Sequence, residues 1–492
     1  MAKPSARAPR STLSSGLLTA LSLAVVTGLS AAVGIVIARE FGRSIDTDGF
    51  FSAYGVFLVL VLAASAVRVA VLPALARARE EGVFGSVLGS YALALGIVAV
   101  PALVLGVLAN DWTAAQLAGG LPASAQETAA EALVFLVPAA VAQLFAALCA
   151  SGLAAYDSYA TAAAGYALGS AVGLAVILWR VDEDGIVACA WGTLVNSVVT
   201  LAIPLLALGF RAHRGRRAAL DVGARFAELA RAAALPIVLQ AFFVVCLRFA
   251  SGVGTGAVTS FTYAYFVAAA LVAVTASSLG MVSSVPLSRA VLSDERASRH
   301  VVSTSLVSFA AVAAAAGVFA VVGEPIVRAA LGPAYAGDAG GEIGRLIVLL
   351  GPWMAASIGV TITFPLLFVA GRERGLPLLA IAVLLAHVVL TWIAVEAFEL
   401  DGAALALTLS TLVVLAALLA LLSPHVLAES GRRLALGAAA VGGLALVAFG
   451  APAWLLPDTA AALLGVAAFG ALLVAVRDRG LRQAWGYLRT LE

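Results

Sequence analysis

Fourteen runs of this chain are apolar over about 20 residues or more, the length a helix needs to cross a lipid bilayer. They fall near 13–38, 50–75, 84–108, 131–155, 159–179, 185–210, 228–250, 258–283, 301–322, 345–370, 375–397, 402–422, 433–455 and 459–476. In hydrocarbon every backbone polar group must be satisfied within the protein, which leaves helices as the structure such runs can adopt. Composition agrees: 63% of the 492 residues are hydrophobic and 11% charged, with a mean hydropathy of +1.07. A water-soluble fold of this length could not cover its surface with so few charges. The expectation is an all-α polytopic membrane protein with about fourteen transmembrane helices. The net charge of +2 argues against a nucleic-acid binder, whose phosphate contacts need a concentrated basic surface, and no nucleic-acid partner is expected.

The positive-inside rule tests the count of spans independently. With fourteen spans, 22 of the 29 cations fall in the segments on the side of the amino terminus, among them Arg77, Arg79, Arg211, Arg214, Arg216, Arg217 and Arg372. The other side holds six, Arg39, Arg43, Arg180, Arg248, Arg328 and Arg345, together with 16 of the 27 acids. A missed or invented span would swap every loop downstream and blur this separation. Both termini are therefore expected in the cytoplasm, in a bacterial-type cytoplasmic (inner) membrane. The basic start, Lys3, Arg7 and Arg10, precedes an apolar run too long for a signal peptide and without an A-x-A cleavage site, so it reads as an uncleaved first span.

The most basic loop, Arg211-Ala-His-Arg-Gly-Arg-Arg217, divides the chain into two six-span lobes. The expected organisation is an N-lobe over 1–210, a basic linker over 211–227, a C-lobe over 228–425, and two additional helices with a short basic tail over 426–492. Internal similarity supports the division. Val71-Leu-Pro73-Ala-Leu-Ala-Arg77 at the end of span 2 matches Ser284-Val-Pro286-Leu-Ser-Arg289 at the end of span 8, and Asp184-Gly at span 6 matches Asp401-Gly at span 12. Six spans return the chain to its starting side, so the repeats would be parallel and related by a pseudo-two-fold along the membrane normal. Prolines 101, 138, 204, 236, 352 and 365 fall within spans and can kink them. Gly165, Gly169 and Gly173 form a G-x-x-x-G face suited to close packing within a lobe or to dimerisation.

Arg68 is the only cation well inside a span, where a charge costs at least about 2.5 kcal/mol unless it meets water or a partner. It lies about 13 Å along a helix from Arg77, far for snorkelling to the edge, so a cavity-facing grip on an anionic phosphate is one expectation. Arg248 sits near a span end, where snorkelling is easy. His387, mid-span, can change charge near neutral pH and is a coupling candidate, or else a neutral hydrogen-bonded histidine. Gln143, Asn196 and Gln240 suit interhelical hydrogen bonds or a transport path. Asp48 most simply caps the start of its own helix, with a gate contact as the alternative. Cys149, Cys189 and Cys246 lie apart in apolar runs and suit packing rather than disulfides or metal. The four histidines are scattered without metal-ligand spacing, and no nucleophile elbow or P-loop occurs. Gly252-Val-Gly254-Thr-Gly256 joins two spans and reads as a turn, not a nucleotide loop. Neither an enzyme nor a cofactor is expected.

Ala38-Arg-Glu-Phe41-Gly42 and Thr47-Asp48-Gly-Phe50-Phe51 resemble the A-R-x-F-G and T-D-A-F-F motifs of the MurJ/MviN lipid II flippase family of the multidrug/oligosaccharidyl-lipid/polysaccharide exporter (MOP) superfamily. Phe261-Thr262-Tyr263-Ala264, the Pro286 segment, His387-Val-Val-Leu-Thr391 and Asp401-Gly with Ala404-Leu-Ala-Leu-Thr408 are similar to further family motifs in the same order, across the whole chain. The resemblance implies a flippase that moves a polyprenyl-pyrophosphate-linked saccharide, lipid II or another cell-envelope precursor, from the inner to the outer leaflet by alternating access. It carries Asp48, Arg39 and Thr262 over as substrate-path positions, beside Arg68, Arg248 and Gln240, with His387 and Thr391 as coupling candidates. Its implied partners are the lipid-linked saccharide, membrane lipids and the cell-wall synthesis machinery. Where lipid II flippases carry cavity arginines this chain has Thr27, Val33, Val61 and Phe266, and Phe242 and Cys246 stand where the family has Asn and Asp. These departures keep two other functions open: an ion-coupled exporter of a small amphiphile, and a non-transporting membrane scaffold of cell-wall assembly.

Overall fold

The computed structural model describes residues 28–212, 218–277 and 293–475. Thr27 and the start of the first expected span, the centre of the basic linker, the Ser284–Arg289 repeat segment and the tail after residue 475 lie outside the described residues. Among the described residues every regular element is helical. In chain order these are α1 (28–41), α2 (Ile45–Glu80), α3 (Phe84–Leu103), α4 (Asn110–Ala118), α5 (Ala123–Ala155), α6 (Tyr159–Asp184), α7 (Val187–Ala212), α8 (Val222–Ala250) and α9 (Ala257–Val272). They continue as α10 (Asp294–Leu331), α11 (Asp338–Leu349), α12 (Gly351–Val369), α13 (Leu376–Leu422), α14 (Pro424–Ala453) and α15 (Asp458–Ala475).

Twelve helices among the described residues are long and apolar enough to span a membrane, so the chain is an all-α, multi-pass membrane protein. They follow the expected spans in order, with two differences in the count. The first span is described only from residue 28, as α1. Spans 11 and 12 run together as α13, interrupted by the single residue Glu399 at φ 51°, ψ −132°.

Span 10 departs from expectation in another way. It is two helices, α11 and α12, that meet at Leu350, and Pro352 sits in the first turn of α12, where its missing N–H leaves no bond unmade. Pro352 therefore starts a helix instead of kinking one. Pro101 lies in the last turn of α3, just before a π-helical turn over Val104–Leu108, while Pro138, Pro204, Pro236 and Pro365 lie inside α5, α7, α8 and α12. The three cysteines are buried and free, as small packing residues.

Contacts divide the chain into two compact units. The first holds the residues up to Glu40, Ser52–Leu117 and Ala123–Gln240; the second holds Phe41–Phe51, Ala118–Pro122 and the chain from Ala241. In the first unit, Val67, Val71 and Leu75 of α2 pack on Phe84, Tyr91 and Leu95 of α3, with Leu144, Leu148 and Leu153 of α5, Leu208 of α7 and Leu229 of α8. The glycine face of α6 is used inside this unit, against α7. A Cβ on Gly169 would fall 2.3 Å from Thr200 Oγ1, and one on Gly173 would fall 2.7 Å from both the Asn196 Cβ and the Gly192 carbonyl oxygen. In the second unit α10 packs on α11, α12, α14 and α15, and α12 packs on α13.

Candidate transport site

Arg68 stands on α2 in the first unit, with its side chain exposed. It does not run along its own helix to the edge. Its guanidinium donates to the Tyr166 hydroxyl of α6 and lies 4.7 Å from the centroid of that ring. A cation over an aromatic face is stabilised by the ring quadrupole, and one hydrogen bond leaves most of the five guanidinium N–H donors for another acceptor. Tyr166 carried no motif, and only the fold brings it to Arg68. Arg39, at the end of α1, is exposed. Gln143 Nε2 donates to Ser197 Oγ at 3.3 Å, the expected interhelical tie, and Asn196 Oδ1 accepts from Thr200 Oγ1 at 3.2 Å.

Asp48 lies in the second unit and is fully buried. Its own helix is capped instead by Ser44, whose Oγ accepts from Thr47 N at 3.2 Å. The Asp48 carboxylate caps α9. Oδ2 accepts from Gly256 N at 2.5 Å, and Oδ1 accepts from Thr259 N at 2.8 Å and Thr259 Oγ1 at 2.5 Å. A helix start leaves N–H groups unsatisfied and carries positive dipole charge, and a carboxylate answers both. Gly256, the N-cap, has φ 85°, and a Cβ there would sit 2.2 Å from Arg43 Nε. Arg43 completes the cluster: Nε donates to Gly256 O at 3.0 Å and Nη2 pairs with Glu342 at 2.8 Å. The Tyr335 hydroxyl donates to Gly42 O at 2.9 Å, and burial pushes this phenol up to about 12, so it remains a donor throughout the physiological range. Sequence reasoning found Asp48 but not Arg43, Glu342 or Tyr335, which lie on three separate segments.

Thr262 is buried on α9, three residues past the capped turn. Arg248 is exposed near the end of α8, with Nη1 3.5 Å from Ser251 Oγ, and Gln240 is buried on the same helix. His387 is fully buried in α13. Its Nε2 lies 3.0 Å from the Phe242 carbonyl, which can only accept, so that nitrogen carries the proton. Nδ1 lies 2.7 Å from Ser410 Oγ, and the ring stacks on Phe242 at 4.2 Å. Cys246 Sγ is 3.7 Å from Nε2. Thr391 Oγ1 donates to the His387 carbonyl at 2.8 Å and lies 3.2 Å from Nε2. The histidine thus ties α8 to both halves of α13. No group of three or more His, Cys, Asp or Glu among the described residues is placed to hold a metal ion. Phe266, one of the positions where the resemblance implies an arginine, is in an aromatic cluster instead, 6.2 Å from the rings of Phe51 and Phe243 and 6.3 Å from Tyr265.

No protein-family model and no curated protein sequence matches the chain. Solved structures do match. One described as the lipid II flippase MurJ in an inward closed conformation is 14% identical, with a TM-score of 0.72 over 94% of this chain and 99% of that one. An inward-facing multidrug resistance MATE family transporter of the MOP superfamily is 18% identical, with a TM-score of 0.61 over 86% of this chain and 99% of the other. A MOP superfamily transporter from Pyrococcus furiosus is also 18% identical, with a TM-score of 0.55 over 86% and 96%. These neighbours are described as a flippase and as transporters, and the chain shares their fold, with the MurJ structure over 94% of its length.

Proposed function

We propose that this protein is a MurJ-like flippase that moves a polyprenyl-pyrophosphate-linked saccharide, lipid II or another cell-envelope precursor, from the inner to the outer leaflet of a cytoplasmic membrane by alternating access. The observation that carries this reading is the likeness to a lipid II flippase over almost the full length of both chains. The cargo would meet a cation in Arg68, which keeps donors beyond the one given to Tyr166, and charge-assisted bonds to phosphate oxygens are the strong class of hydrogen bond. Arg39, Arg248, Thr262 and Gln240 are proposed as further positions on the path, and His387 with Thr391 as the coupling pair. Both termini would face the cytoplasm.

The test is a leaflet-accessibility assay in proteoliposomes with defined lipid-linked sugars. Arg68→Lys should keep substantial transport and Arg68→Ala should lose it, with equal insertion of both. Normal transport by Arg68→Ala would remove the phosphate grip, and no movement of any lipid-linked sugar by the native protein would remove the flippase reading.

The second reading, an ion-coupled exporter of a small amphiphile, draws support from Phe266 in its aromatic cluster and from Phe242 and Cys246 packed around His387, apolar side chains at positions where the resemblance implies polar or charged ones. Dye or drug efflux driven by an imposed proton or sodium gradient, without flipping of lipid-linked sugars, would favour it. A scaffold would show neither activity.

A further inference from the structure

The second unit holds a small polar pocket of about 260 Å³ that the transport reading does not use. Its lining comes from the segment before α2 (Arg43), the turn between α8 and α9 (Gly254, Thr255), α11 (Glu342, Arg345) and the break in α13 (Phe398 to Asp401). It lies at the end of the unit that the charge pattern of the sequence assigns to the outer side.

Not all of the lining is free. Arg43 is committed to Glu342 and to Gly256 O. Arg345 donates through Nη1 to Asp401 Oδ2, and its other guanidinium nitrogens form no hydrogen bond among the described residues. Asp401 Oδ1 has no hydrogen-bond partner among the described residues and is shielded from solvent, so it offers the pocket no acceptor. Glu399 is exposed and makes no ion pair among the described residues, and Thr255, also exposed, lines the same pocket. Phe398, 60% exposed, adds an apolar ring to the same wall.

The backbone adds an independent observation. Glu399 holds φ 51°, ψ −132°, a left-handed conformation that costs a non-glycine residue free energy and that glycine would adopt readily. Without this break α13 would carry Phe398, Glu399 and Asp401 on around a regular helix. With it, all three line the pocket.

The chemistry of the free groups selects the ligand. A metal cation is disfavoured by two arginines in the wall, and an inorganic anion by three carboxylates. A neutral polyol fits both signs, because each hydroxyl can accept from Arg345 and donate to Glu399, while the C–H face of a sugar ring can lie on Phe398. The volume is below the range of about 300–1,000 Å³ that holds drug-sized ligands, which suits a single sugar ring. We propose that this pocket is a saccharide-binding subsite for one pyranose ring, held by Arg345 and Glu399 against Phe398, with Asp401 orienting the Arg345 guanidinium. The ring could belong to a free sugar or to a lipid-linked glycan.

The test uses the full-length protein in nanodiscs and saturation-transfer NMR. The probes are methyl glucoside, N-acetylglucosamine and a soluble-tailed pyrophosphate-linked disaccharide, with methyl phosphate as the anionic control. At least one sugar should receive saturation and methyl phosphate should not. If both monosaccharides bind as well as the disaccharide, the ligand is a free sugar; if the disaccharide alone binds, it is a carried glycan. Phe398→Ala and Glu399→Gly should each weaken sugar binding by about tenfold or more, the scale of one lost contact. Glu399→Gly should at the same time keep or raise the thermal midpoint, because glycine suits the backbone there, so that loss of binding cannot be put down to unfolding. The proposal is overturned if no sugar binds the native protein, or if both variants bind like it. Binding is read without transport, so a protein that binds sugar but flips no lipid keeps this inference and loses the flippase reading.

Discussion

The Asp48 carboxylate accepts three hydrogen bonds at the start of a helix more than two hundred residues further along the chain. Asp48→Asn keeps the size but replaces one accepting oxygen with a donor that faces an N–H group. The expected loss is about 2–4 kcal/mol, within the range for breaking a buried charge-assisted network, and it should lower the thermal midpoint of the purified protein in detergent. An unchanged midpoint would show that α9 does not depend on this cap. His387→Ala should likewise cost about 1–3 kcal/mol, because Ser410 and the Phe242 carbonyl lose their partner and a void opens beside the Phe242 ring. The residue types at both positions could be read from the sequence; what they touch could not, since Gly256, Thr259, Phe242 and Ser410 belong to other segments.

At the scale of elements, glycine in a membrane helix means different things according to what faces it. Gly169 of α6 lies against Asn196 and Thr200 of α7, so Gly169→Leu should be strongly destabilising, by about 1–3 kcal/mol or more, as overpacking is. Gly96 of α3 has nothing within 4 Å of where a Cβ would stand, so Gly96→Ala should be neutral or should raise stability by up to about 1 kcal/mol. A chemical-denaturation pair on the two variants would separate the cases, and equal effects would contradict the packing described. The lengths of the helices were legible because apolar runs are long and polar breaks are short. Their joints were less so. Pro352 opens α12 and Glu399 alone interrupts α13, and a hydropathy window of about 20 residues averages over single-residue features of this kind.

At the scale of the whole molecule, the charge bias predicts its orientation. Reporter fusions after Arg217 and after Glu492 should both report a cytoplasmic location, and an external location for either would break the fourteen-span topology. Cargo is predicted from what the chain lacks. Thr27, Val33, Val61 and Phe266 stand where the resemblance implies cavity arginines, and losing two charge-assisted contacts of about 1.5–3 kcal/mol each weakens binding about a hundredfold or more. The native protein should therefore fail to restore growth to a cell depleted of its lipid II flippase. Rescue would show that Arg68 and the remaining contacts suffice for that cargo.

The sequence by itself determined the all-helical, membrane-spanning character of the chain and the order of its spans. Lipid leaves the backbone no alternative to helices, and apolar length is a local property that can be read residue by residue. The motifs quoted from it also pointed to the fold that the solved structures share. Tertiary structure decided which polar groups meet: Arg68 with Tyr166, Asp48 with the start of α9, His387 with Phe242 and Ser410, and the pocket around Asp401. Those pairings join residues far apart in the chain through side chains a few ångströms long. Their geometry follows from how whole helices pack, and no local pattern encodes it.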